Sequence, residues 1–281
     1  MKTYRVKSFA KINLALNVTG KLDLLHKIES IFYFINLHDT ITIKQINSLD
    51  HRISYFGKFS KNISSNNTIT NLFKILDQEK LIRNKKFQIK INKNIPQQAG
   101  LGGGSMNAAR ILNFLIKKKY IKINQKKITD ISKSIGSDVI LGVDLKNGIL
   151  KSNNNIKKFS NCNKFYVLLV KPNFGCSTKA IYSGVKNFTR SKYNRPKKIM
   201  FNPQYLSKQN NALENVAFLK YPKLKKIKLF LENLKKPLFV RMTGSGSVLV
   251  AYFHSKKDCD MAKVHFKRKY KNYWCNTSKT L

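Results

Sequence analysis

The chain has 281 residues, 42% of them hydrophobic and 24% charged, a composition typical of globular proteins that excludes a disordered or fibrous protein. A chain of this length buries enough surface to form a core without a structural metal or a disulfide. Its 55 Lys and Arg against 13 Asp and Glu give a formal net charge of +42, which favours an anionic partner such as nucleic acid, a membrane surface or a phosphorylated small molecule.

Most of this charge comes from lysine, since only 8 of the 55 basic residues are arginine. Proteins that read nucleic-acid bases favour arginine, and the basic residues here are spread along the chain instead of forming one arm. A genome biased towards the A/T-rich codons of Lys, Asn and Ile produces the same excess. We therefore expect compositional drift, rather than nucleic-acid binding, to explain the charge.

The four cysteines stand at wide spacings without a Cys-x-x-Cys pair, so we expect reduced thiols and no protein-built metal site. Residues 1–10 alternate polar and apolar residues and contain no apolar signal-peptide segment. The longest apolar stretches, at 165–170 and 247–253, are too short to span a bilayer. These observations predict a cytoplasmic protein without a membrane partner.

The first predicted element is a strand, because apolar and polar residues alternate between positions 11 and 18. This period of two places Lys11 and Asn13 together on the face opposite the apolar one. Another apolar stretch, at 28–37, is predicted to end in a turn at positions 38–39 before a second strand.

A helix, a strand and a glycine-rich loop are predicted next. Apolar residues at helical spacing mark residues 66–78, and alternation marks a strand that contains Phe87 and ends near Pro96. Four glycines follow within residues 100–104. The pattern then becomes helical at Ser105, the predicted N-cap of the next helix.

The second half also mixes strands and helices. A strand at 165–170, a largely helical stretch at 205–234 and a second glycine turn at 242–246 follow without regular βα alternation. This order predicts an α+β protein rather than a doubly wound sheet. The Asn-rich stretch 147–163 is the predicted domain junction. The two predicted domains are 1–155 and 156–281.

The glycine-rich loop is the strongest chemical signal. Several glycines at a helix N-terminus let main-chain N–H groups approach an anion, and the helix dipole reinforces the attraction. We expect the bound anion to be a phosphate group. The loop has no G-x-x-x-x-G-K-[ST] pattern, lacks the third glycine of G-x-G-x-x-G and is followed by no acidic residue about 20 positions later. Both the P-loop and the dinucleotide fingerprint are therefore excluded.

Phosphoryl transfer also needs a group that orients or deprotonates the acceptor hydroxyl and a cation that neutralises developing charge. Asp138, which follows a short helical run and Gly136, is the best candidate base, and Lys11 is the best candidate cation. Spacing alone leaves open a turn or cap role for Asp138 and a solvated position for Lys11.

Four segments, in this order, resemble motifs of the GHMP kinase superfamily. They are the opening Ser8-Phe9-Ala10-Lys11-Ile12-Asn13-Leu14, the phosphate loop Gly100-Leu101-Gly102-Gly103-Gly104-Ser105-Met106-Asn107-Ala108-Ala109, the segment Ile135-Gly136-Ser137-Asp138-Val139 and the glycine motif Met242-Thr243-Gly244-Ser245-Gly246. Residues 26–34, followed by Asp39-Thr40-Ile41, resemble the branch of the superfamily that phosphorylates the 2-hydroxyl of 4-diphosphocytidyl-2-C-methyl-D-erythritol in non-mevalonate isoprenoid biosynthesis.

The resemblance implies a two-domain GHMP kinase fold. Its N-terminal domain would be ribosomal-protein-like with a left-handed βαβ unit, which general chirality rules do not predict, and its C-terminal domain ferredoxin-like. The resemblance also implies ATP as co-substrate, Mg and a small-molecule diphosphocytidyl acceptor as partner. We expect a monomer or a weak homodimer.

The same resemblance implies a role for individual residues. Asp138 would take the proton from the acceptor hydroxyl, and Lys11 would hold that centre and favour the charged carboxylate. The residues implied in ATP binding are Asn67, Pro96, Gln97, Gln98, Ala99, Gly100, Leu101, Gly102, Gly103, Gly104, Ser105 and Met106. The residues implied in acceptor binding are Asn13, His26, Tyr182, Gly244 and Ser245.

The sequence departs from the family pattern at several of these positions. Leu25 replaces the tyrosine that would stack on cytosine, which leaves Tyr182 as the aromatic wall and should weaken binding. Ala99 replaces a glycine, Met106 replaces the second serine of the loop, and Ala212 replaces an aspartate. Two alternatives stay open: a GHMP kinase for another alcohol, such as homoserine or mevalonate, and a basic RNA-binding protein of related fold.

Overall fold

The computed structural model describes residues 2–22 and 25–281. Within them the chain forms ten strands, nine α-helices and one 3₁₀ helix. The strands are β1 Thr3–Leu22, β2 Leu25–Ile46, β3 Arg52–Phe56, β4 Lys86–Asn92, β5 Gly148–Leu150, β6 Ile156–Lys158, β7 Tyr166–Lys171, β8 Phe239–Met242, β9 Leu249–Phe253 and β10 Trp274–Lys279. The helices are α1 Thr68–Gln78, α2 Gly103–Lys117, α3 Gln125–Ile135, α4 Val139–Val143, α5 Thr178–Tyr182, α6 Pro203–Ser207, α7 Glu214–Lys220, α8 Pro222–Glu232 and α9 Lys256–Lys269, with the 3₁₀ helix at Lys198–Phe201. This mixture confirms the predicted α+β class.

The chain divides into two compact units, each built from separate segments. Unit 1 takes the described residues of Met1–Ala10, Leu37–Gln97 and Gly102–Leu145. Unit 2 takes those of Lys11–Asn36, Gln98–Leu101 and Lys146–Leu281. Strands β1 and β2, which pair with each other, contribute residues to both units. The domain division at 155 and 156 stays a prediction.

Unit 1 is a sheet covered by helices α1 to α4. Strand β4 pairs antiparallel with Thr40–Ile46 of β2 and parallel with β3. Alternate residues of β4 are buried because one face of a strand in a half-covered sheet meets the helices. Helix α1 follows the helical period in the same way, and its buried residues are Ile69, Leu72, Phe73 and Leu76.

The predicted turn at positions 38–39 is wrong, because β2 runs through them without interruption. His38 and Asp39 are typical turn residues, but the Asp39 side chain is fully buried and hydrogen-bonded within unit 1. A partnered carboxylate can occupy a strand interior that an unpartnered one would disrupt. The strand therefore continues into the β-branched residues that follow.

Unit 2 contains an antiparallel four-stranded sheet in the order β10-β7-β9-β8. Helix α8 packs on β8 and β9, while α9 packs on β7, β9 and β10. Its strands β7 and β9 are buried almost throughout, which explains their uninterrupted apolar sequences. In the same unit, residues 30–32 of β2 pair with β5, and β5 pairs with β6.

Two further sequence expectations concern thiols and membranes. All four cysteines, each within the described ranges, are present as thiols rather than disulfides. In the part of the chain that the structure describes, no helix has both the length and the apolar character that a bilayer crossing requires.

Candidate active site

The first turn of α2 is formed by glycines that pack closely against neighbouring side chains. Its N-cap Gly102 has φ of 67°, a left-handed conformation that glycine adopts without strain, and no side chain caps the helix. A Cβ on Gly103 would stand 3.1 Å from Ile95 Cγ2, and one on Gly104 would stand 3.2 Å from Thr68 Oγ1. The first N–H groups of a helix have no partner within it, and the helix dipole makes this end positive. The turn can therefore bind an anion.

Ser105 is the third residue of α2, so the prediction that it is the N-cap is wrong. The left-handed Gly102 is the N-cap instead, and its carbonyl accepts from Met106 N at 2.8 Å, so the helix begins two residues earlier, at Gly103. The Ser105 hydroxyl lies 3.9 Å from the point that a Cβ on Gly136 would occupy. The start of α2 thus adjoins the loop that leads to Asp138.

Asp138 is the N-cap of α4, but its side chain makes no capping hydrogen bond to that helix. Helix α4 is held against α2, where Asn113 Nδ2 donates to the Val143 carbonyl at 2.5 Å. The buried Met106 side chain also packs on α4, because Gly142 leaves room for it. Asp138 is therefore carried on a short helix whose position depends on α2, while the Met106 side chain is used for packing.

A buried carboxylate network lies behind the first turn of α2. Asp39 forms an ion pair with Lys93, and Asn107 Nδ2 of α2 donates to Asp39 Oδ2 at 2.9 Å. The Asp39 side chain is fully buried and the Lys93 residue is 4% exposed. Sequence reasoning assigned no role to Lys93. The sequence gives little indication of a buried role, because a lysine that follows a strand is most often solvated.

Asn67, the predicted adenine contact, caps α1. Its Oδ1 accepts from the N–H groups of Ile69 and Thr70 and from the Tyr55 hydroxyl at 2.8 Å. Its Nδ2 donates to the Ser64 carbonyl at 2.8 Å. Burial raises the pKa of Tyr55 to about 12, so this donor stays protonated near neutral pH. The cap fixes the start of α1 beside the glycine turn, through the hydrogen bond from Thr68 Oγ1 to the Gly104 carbonyl at 2.9 Å.

Pro96 and Gln97 complete the unit 1 part of the predicted ATP loop. Pro96 is buried at the end of the segment that follows β4. Gln97 Nε2 donates to the carbonyl oxygens of Phe59 and Lys61, at 3.0 and 2.8 Å. The Gln97 side chain therefore anchors the loop to the segment after β3.

Residues 98–101 of the predicted ATP loop belong to unit 2. Each of their four carbonyl oxygens accepts a hydrogen bond there. The Gln98 carbonyl accepts from Ser247 N at 3.3 Å, and the Ala99 carbonyl accepts from Val248 N at 3.3 Å. The Gly100 carbonyl accepts from Thr243 Oγ1 at 3.1 Å. The Leu101 carbonyl accepts from a main-chain N–H, that of Lys11, at 3.0 Å. These hydrogen bonds satisfy four carbonyl oxygens whose partial negative charge would otherwise repel a phosphate.

Gly100 and Gly244 are in direct contact within unit 2. Gly100 has φ of 70°, and a Cβ there would stand 2.0 Å from the Thr243 carbonyl oxygen. Gly244 has φ of 54°, and a Cβ there would stand 3.2 Å from Gly100 Cα and 3.5 Å from Asn13 Oδ1. Both sites require glycine on conformational and steric grounds. The two glycine motifs, far apart in sequence, form one surface.

Lys11 and Asn13 lie on β1 in the same unit and are 3% and 4% exposed. Lys11 Nζ donates to Asn13 Oδ1 at 3.1 Å, while Asn13 Nδ2 donates to Ser30 Oγ at 2.7 Å. The Asn13 main-chain N–H donates to Thr243 Oγ1 at 2.9 Å. A buried ammonium with fixed partners is a pre-oriented charge, not a solvated one. The predicted contact between Lys11 and Asp138 joins residues of different units and stays a prediction.

Ser245 and Asn211 complete this glycine surface. Ser245 Oγ lies 3.0 Å from Thr178 Oγ1. Asn211 Nδ2 donates to the carbonyl oxygens of Met242 and Gly244, both at 2.8 Å. Although Ala212 departs from the family motif, the Asn211 side chain next to it holds the turn in place.

An aromatic cluster in unit 2 surrounds His26. The centre of its ring lies 5.2 Å from that of Tyr182 and 6.4 Å from that of Phe188, which sequence reasoning did not single out. Burial and, secondly, the Lys21 charge lower the pKa of His26 below its usual value. The imidazole is therefore neutral near pH 7. The Leu25 side chain lies outside the described residues.

A cavity of about 600 Å³ opens beside this cluster. Phe188 lines it, together with the cationic side chains of Lys27 and Arg190. Its other lining residues, Thr19, Ser152, Asn153, Asn154, Thr189 and Ser191, supply hydroxyl and amide groups. Such a lining suits a polar ligand with an aromatic and an anionic part.

No group of three or more His, Cys, Asp or Glu side chains in residues 2–22 and 25–281 could hold a metal ion. Mg²⁺ is usually held through substrate phosphates with few protein ligands, and it keeps several waters.

Comparisons with known proteins identify the family of the chain. Residues 67–145 match the GHMP kinases N terminal domain family. The chain is 57% identical over all 281 residues to the 4-diphosphocytidyl-2-C-methyl-D-erythritol kinase of Pelagibacter ubique, and both chains are covered completely. It is 35% identical to the enzyme of that name from Petrotoga mobilis, over 87% of this chain and 96% of that one.

Solved structures share the fold. A crystal structure of 4-(cytidine 5'-diphospho)-2C-methyl-D-erythritol kinase matches with a TM-score of 0.79 at 20% identity, over 98% of this chain and 99% of that one. Homoserine kinase from Cytophaga hutchinsonii matches with a TM-score of 0.72 at 12% identity, over 100% and 95%. The predicted GHMP kinase fold is therefore confirmed. By its full-length identity to curated relatives, the chain belongs to the 4-diphosphocytidyl-2-C-methyl-D-erythritol kinase family of GHMP kinases.

Proposed function

We propose that this chain transfers the γ-phosphoryl group of ATP to the 2-hydroxyl of 4-diphosphocytidyl-2-C-methyl-D-erythritol. The observation that carries the proposal is the uncapped, glycine-built start of α2 in contact with the loop that bears Asp138. A phosphate-binding helix end beside a carboxylate is what a phosphotransferase to an alcohol requires. The family membership supports the choice of acceptor.

Each site residue has a distinct task in this proposal. Main-chain N–H groups of the loop at 96–106 bind the ATP phosphates. Asp138 accepts the proton of the attacking hydroxyl, and Lys11 favours the charged carboxylate. Two unit charges about 4 Å apart interact by roughly 4 kcal/mol at an effective dielectric near 20, which is enough to bias a proton transfer. Mg²⁺ bound to ATP supplies positive charge that the developing transition state needs.

The acceptor binds, in this proposal, at the glycine surface and the aromatic cluster. Asn13, Gly244 and Ser245 contact the methylerythritol part, whereas neutral His26 and Tyr182 contact the cytosine. A neutral imidazole can donate one hydrogen bond and accept another, as recognition of an uncharged heterocycle requires. The cationic cavity beside His26 suits the diphosphate. We further propose that the protein acts in the cytoplasm as a monomer or weak homodimer.

An acceptor comparison tests the function. ADP release is measured with Mg-ATP and, in parallel, 4-diphosphocytidyl-2-C-methyl-D-erythritol, homoserine and mevalonate, and the product is identified by ³¹P NMR. We expect turnover with the diphosphocytidyl acceptor alone and a loss of about 100-fold or more in Asp138→Asn. Turnover with another acceptor contradicts the substrate assignment, and near-full turnover in Asp138→Asn contradicts the base assignment.

A further inference from the structure

Asp39 has no task in the proposed chemistry, yet its carboxylate is the most heavily bonded acceptor near the glycine turn. Its Oδ1 accepts from the main-chain N–H groups of Asn94 and Ile95, at 2.8 and 2.9 Å. Its Oδ2 accepts from Asn107 Nδ2 at 2.9 Å and from the Lys93 ammonium. One fully buried carboxylate thus satisfies four donors.

These donors lie at the two ends of the nucleotide-binding loop within unit 1. Asn94 and Ile95 directly precede Pro96, where the loop begins, and Asn107 lies one helical turn after Gly103, where α2 begins. Glycines in a loop lose more conformational entropy on ordering than any other residue, and Gly102, Gly103 and Gly104 stand together here. A link between the loop ends reduces the number of arrangements that a bound anion must select.

The same carboxylate also holds the Lys93 ammonium in place. Lys93 Nζ lies 3.4 Å from the point that a Cβ on Gly103 would occupy, directly behind the first residue of α2. Lys93 Nζ, and no atom of Asp39, is among the three atoms nearest that point, so the ion pair turns its positive end towards the start of α2. The Asp39 carboxylate balances the charge of the ammonium. Without this partner, the buried ammonium would strongly destabilise the fold.

We propose that Asp39 is a positioning residue for ATP, which acts through Asn107 and Lys93 on the start of α2. This inference rests on the proposed function, since it takes the glycine loop as the ATP site. Asp39 does not touch the nucleotide. It sets the geometry and the charge of the surface that does.

The decisive variant is Asn107→Ala, which cuts the link to α2 and leaves the ion pair between Asp39 and Lys93 in place. Among the described residues, Asn107 Oδ1 is buried without a hydrogen-bond partner, so its removal leaves no donor unsatisfied. We expect the dissociation constant of Mg-AMP-PNP, measured by calorimetry without acceptor, to rise about tenfold, the value of one good hydrogen bond. The KM of ATP should rise in parallel, and the KM of the acceptor should stay within about twofold.

Ser132→Ala is the matched control. Ser132 is fully buried in unit 1, where its hydroxyl donates to the Ile128 carbonyl at 2.7 Å. The control should lower the melting temperature by a similar amount without a change in nucleotide affinity. If Asn107→Ala binds nucleotide as tightly as wild type, or if both KM values rise together, or if Ser132→Ala weakens nucleotide binding equally, the inference is overturned.

A second pair of variants separates charge from folding. Asp39→Asn leaves Lys93 unbalanced and should lower the melting temperature sharply, and Lys93→Met added to it should restore much of that loss. The double variant should still bind Mg-AMP-PNP about tenfold more weakly than wild type, because it lacks the ammonium behind Gly103. Wild-type nucleotide affinity in the double variant overturns the proposal.

The nucleotide measurements need no acceptor, so the two hypotheses can fail separately. Wild-type protein that binds Mg-AMP-PNP but phosphorylates no diphosphocytidyl acceptor contradicts only the proposed acceptor. Wild-type protein that binds no Mg-AMP-PNP contradicts both.

Discussion

Met106 of α2 and Gly142 of α4 are complementary in volume. A Cβ on Gly142 would stand 2.8 Å from Met106 Sδ and 3.1 Å from its Cε. Met106 is therefore accommodated where the family has a small serine, because α4 presents no side chain at this point. Since Asp138 begins α4, this contact links the placement of the proposed base to the start of α2.

Gly142→Ala should consequently lower both stability and turnover. Overpacking of a closed core contact costs about 1–3 kcal/mol, and a shift of α4 displaces Asp138 from the reacting hydroxyl. We expect kcat to fall about tenfold while the KM of ATP changes little. Thermal unfolding and steady-state kinetics measure the two effects.

Addition of Met106→Ala to Gly142→Ala provides the control, because it removes the conflict with the Met106 side chain and leaves only that with Ala109 Cβ, at 2.9 Å. The double variant should recover part of the lost kcat. If the single variant keeps its kcat, or if the double variant does not improve on it, the Met106 contact does not place Asp138.

Much of the fold follows from local sequence patterns. The period of two in β4 and the helical spacing in α1 are properties of residues that are neighbours in the chain, and both elements form where they are predicted. The turn expected at positions 38–39 fails for the opposite reason. The partners that neutralise Asp39 lie 54 to 68 residues away, beyond any local pattern.

In the candidate site, too, local patterns could be predicted from the sequence and contacts between distant residues could not. The glycine loop could be predicted because glycines before an amphipathic helix are an unusual local signal. Its support could not, since Thr243 reaches Gly100 across 143 residues and Lys93 resembles an ordinary surface lysine in sequence. Phe188 could not be recognised as a site residue from the sequence, because its importance depends on the His26 ring that the fold places beside it.

Gly100→Ala should disrupt the contact between the two glycine motifs. The left-handed φ of 70° alone costs about 1–3 kcal/mol for a residue with a Cβ, and that Cβ would meet the Thr243 carbonyl oxygen at 2.0 Å. We expect a lower melting temperature and an ATP affinity reduced by at least about tenfold. Calorimetry and thermal unfolding provide the readouts.

Gly20→Ala is the matched comparison for this variant. A Cβ on Gly20 would meet only Lys27 Cδ, at an ordinary contact distance of 3.8 Å. It should leave ATP affinity within about twofold of wild type. Equal effects of the two substitutions would show that the close approach at Gly100 has no special importance.

Phe188→Ala should weaken binding of the acceptor but not of ATP. Phe188 is 48% exposed and lines the cavity beside His26, so its ring is accessible to a ligand bound there. Stacking on a base is worth about 1–3 kcal/mol, so we expect the KM of the acceptor to rise about tenfold or more. Leu219→Ala, at an 84% exposed position of α7, should change neither KM. An unaltered acceptor KM in Phe188→Ala would place the base elsewhere.

The His51 side chain, which is 8% exposed, should make stability depend on pH. Its Nδ1 accepts from Phe87 N at 3.1 Å and its ring lies 4.2 Å from that of Phe73. Burial lowers the pKa of His51 below 6.5, against the opposing effect of the Asp77 carboxylate. As the pH falls below about 6.5, the unfolded chain therefore binds a proton that the folded chain does not, and the free energy of unfolding falls by up to about 1.4 kcal/mol per pH unit.

His51→Asn tests this account, because an asparagine can keep the acceptor for Phe87 N but does not titrate. Urea unfolding between pH 5 and 7 should show a smaller loss of stability on acidification in the variant than in wild type. The difference between the two proteins isolates His51 from His26, whose pKa is lowered as well. Identical pH dependence in both proteins would mean that His51 takes up its proton equally in the folded and unfolded chains, and that its burial carries no electrostatic cost.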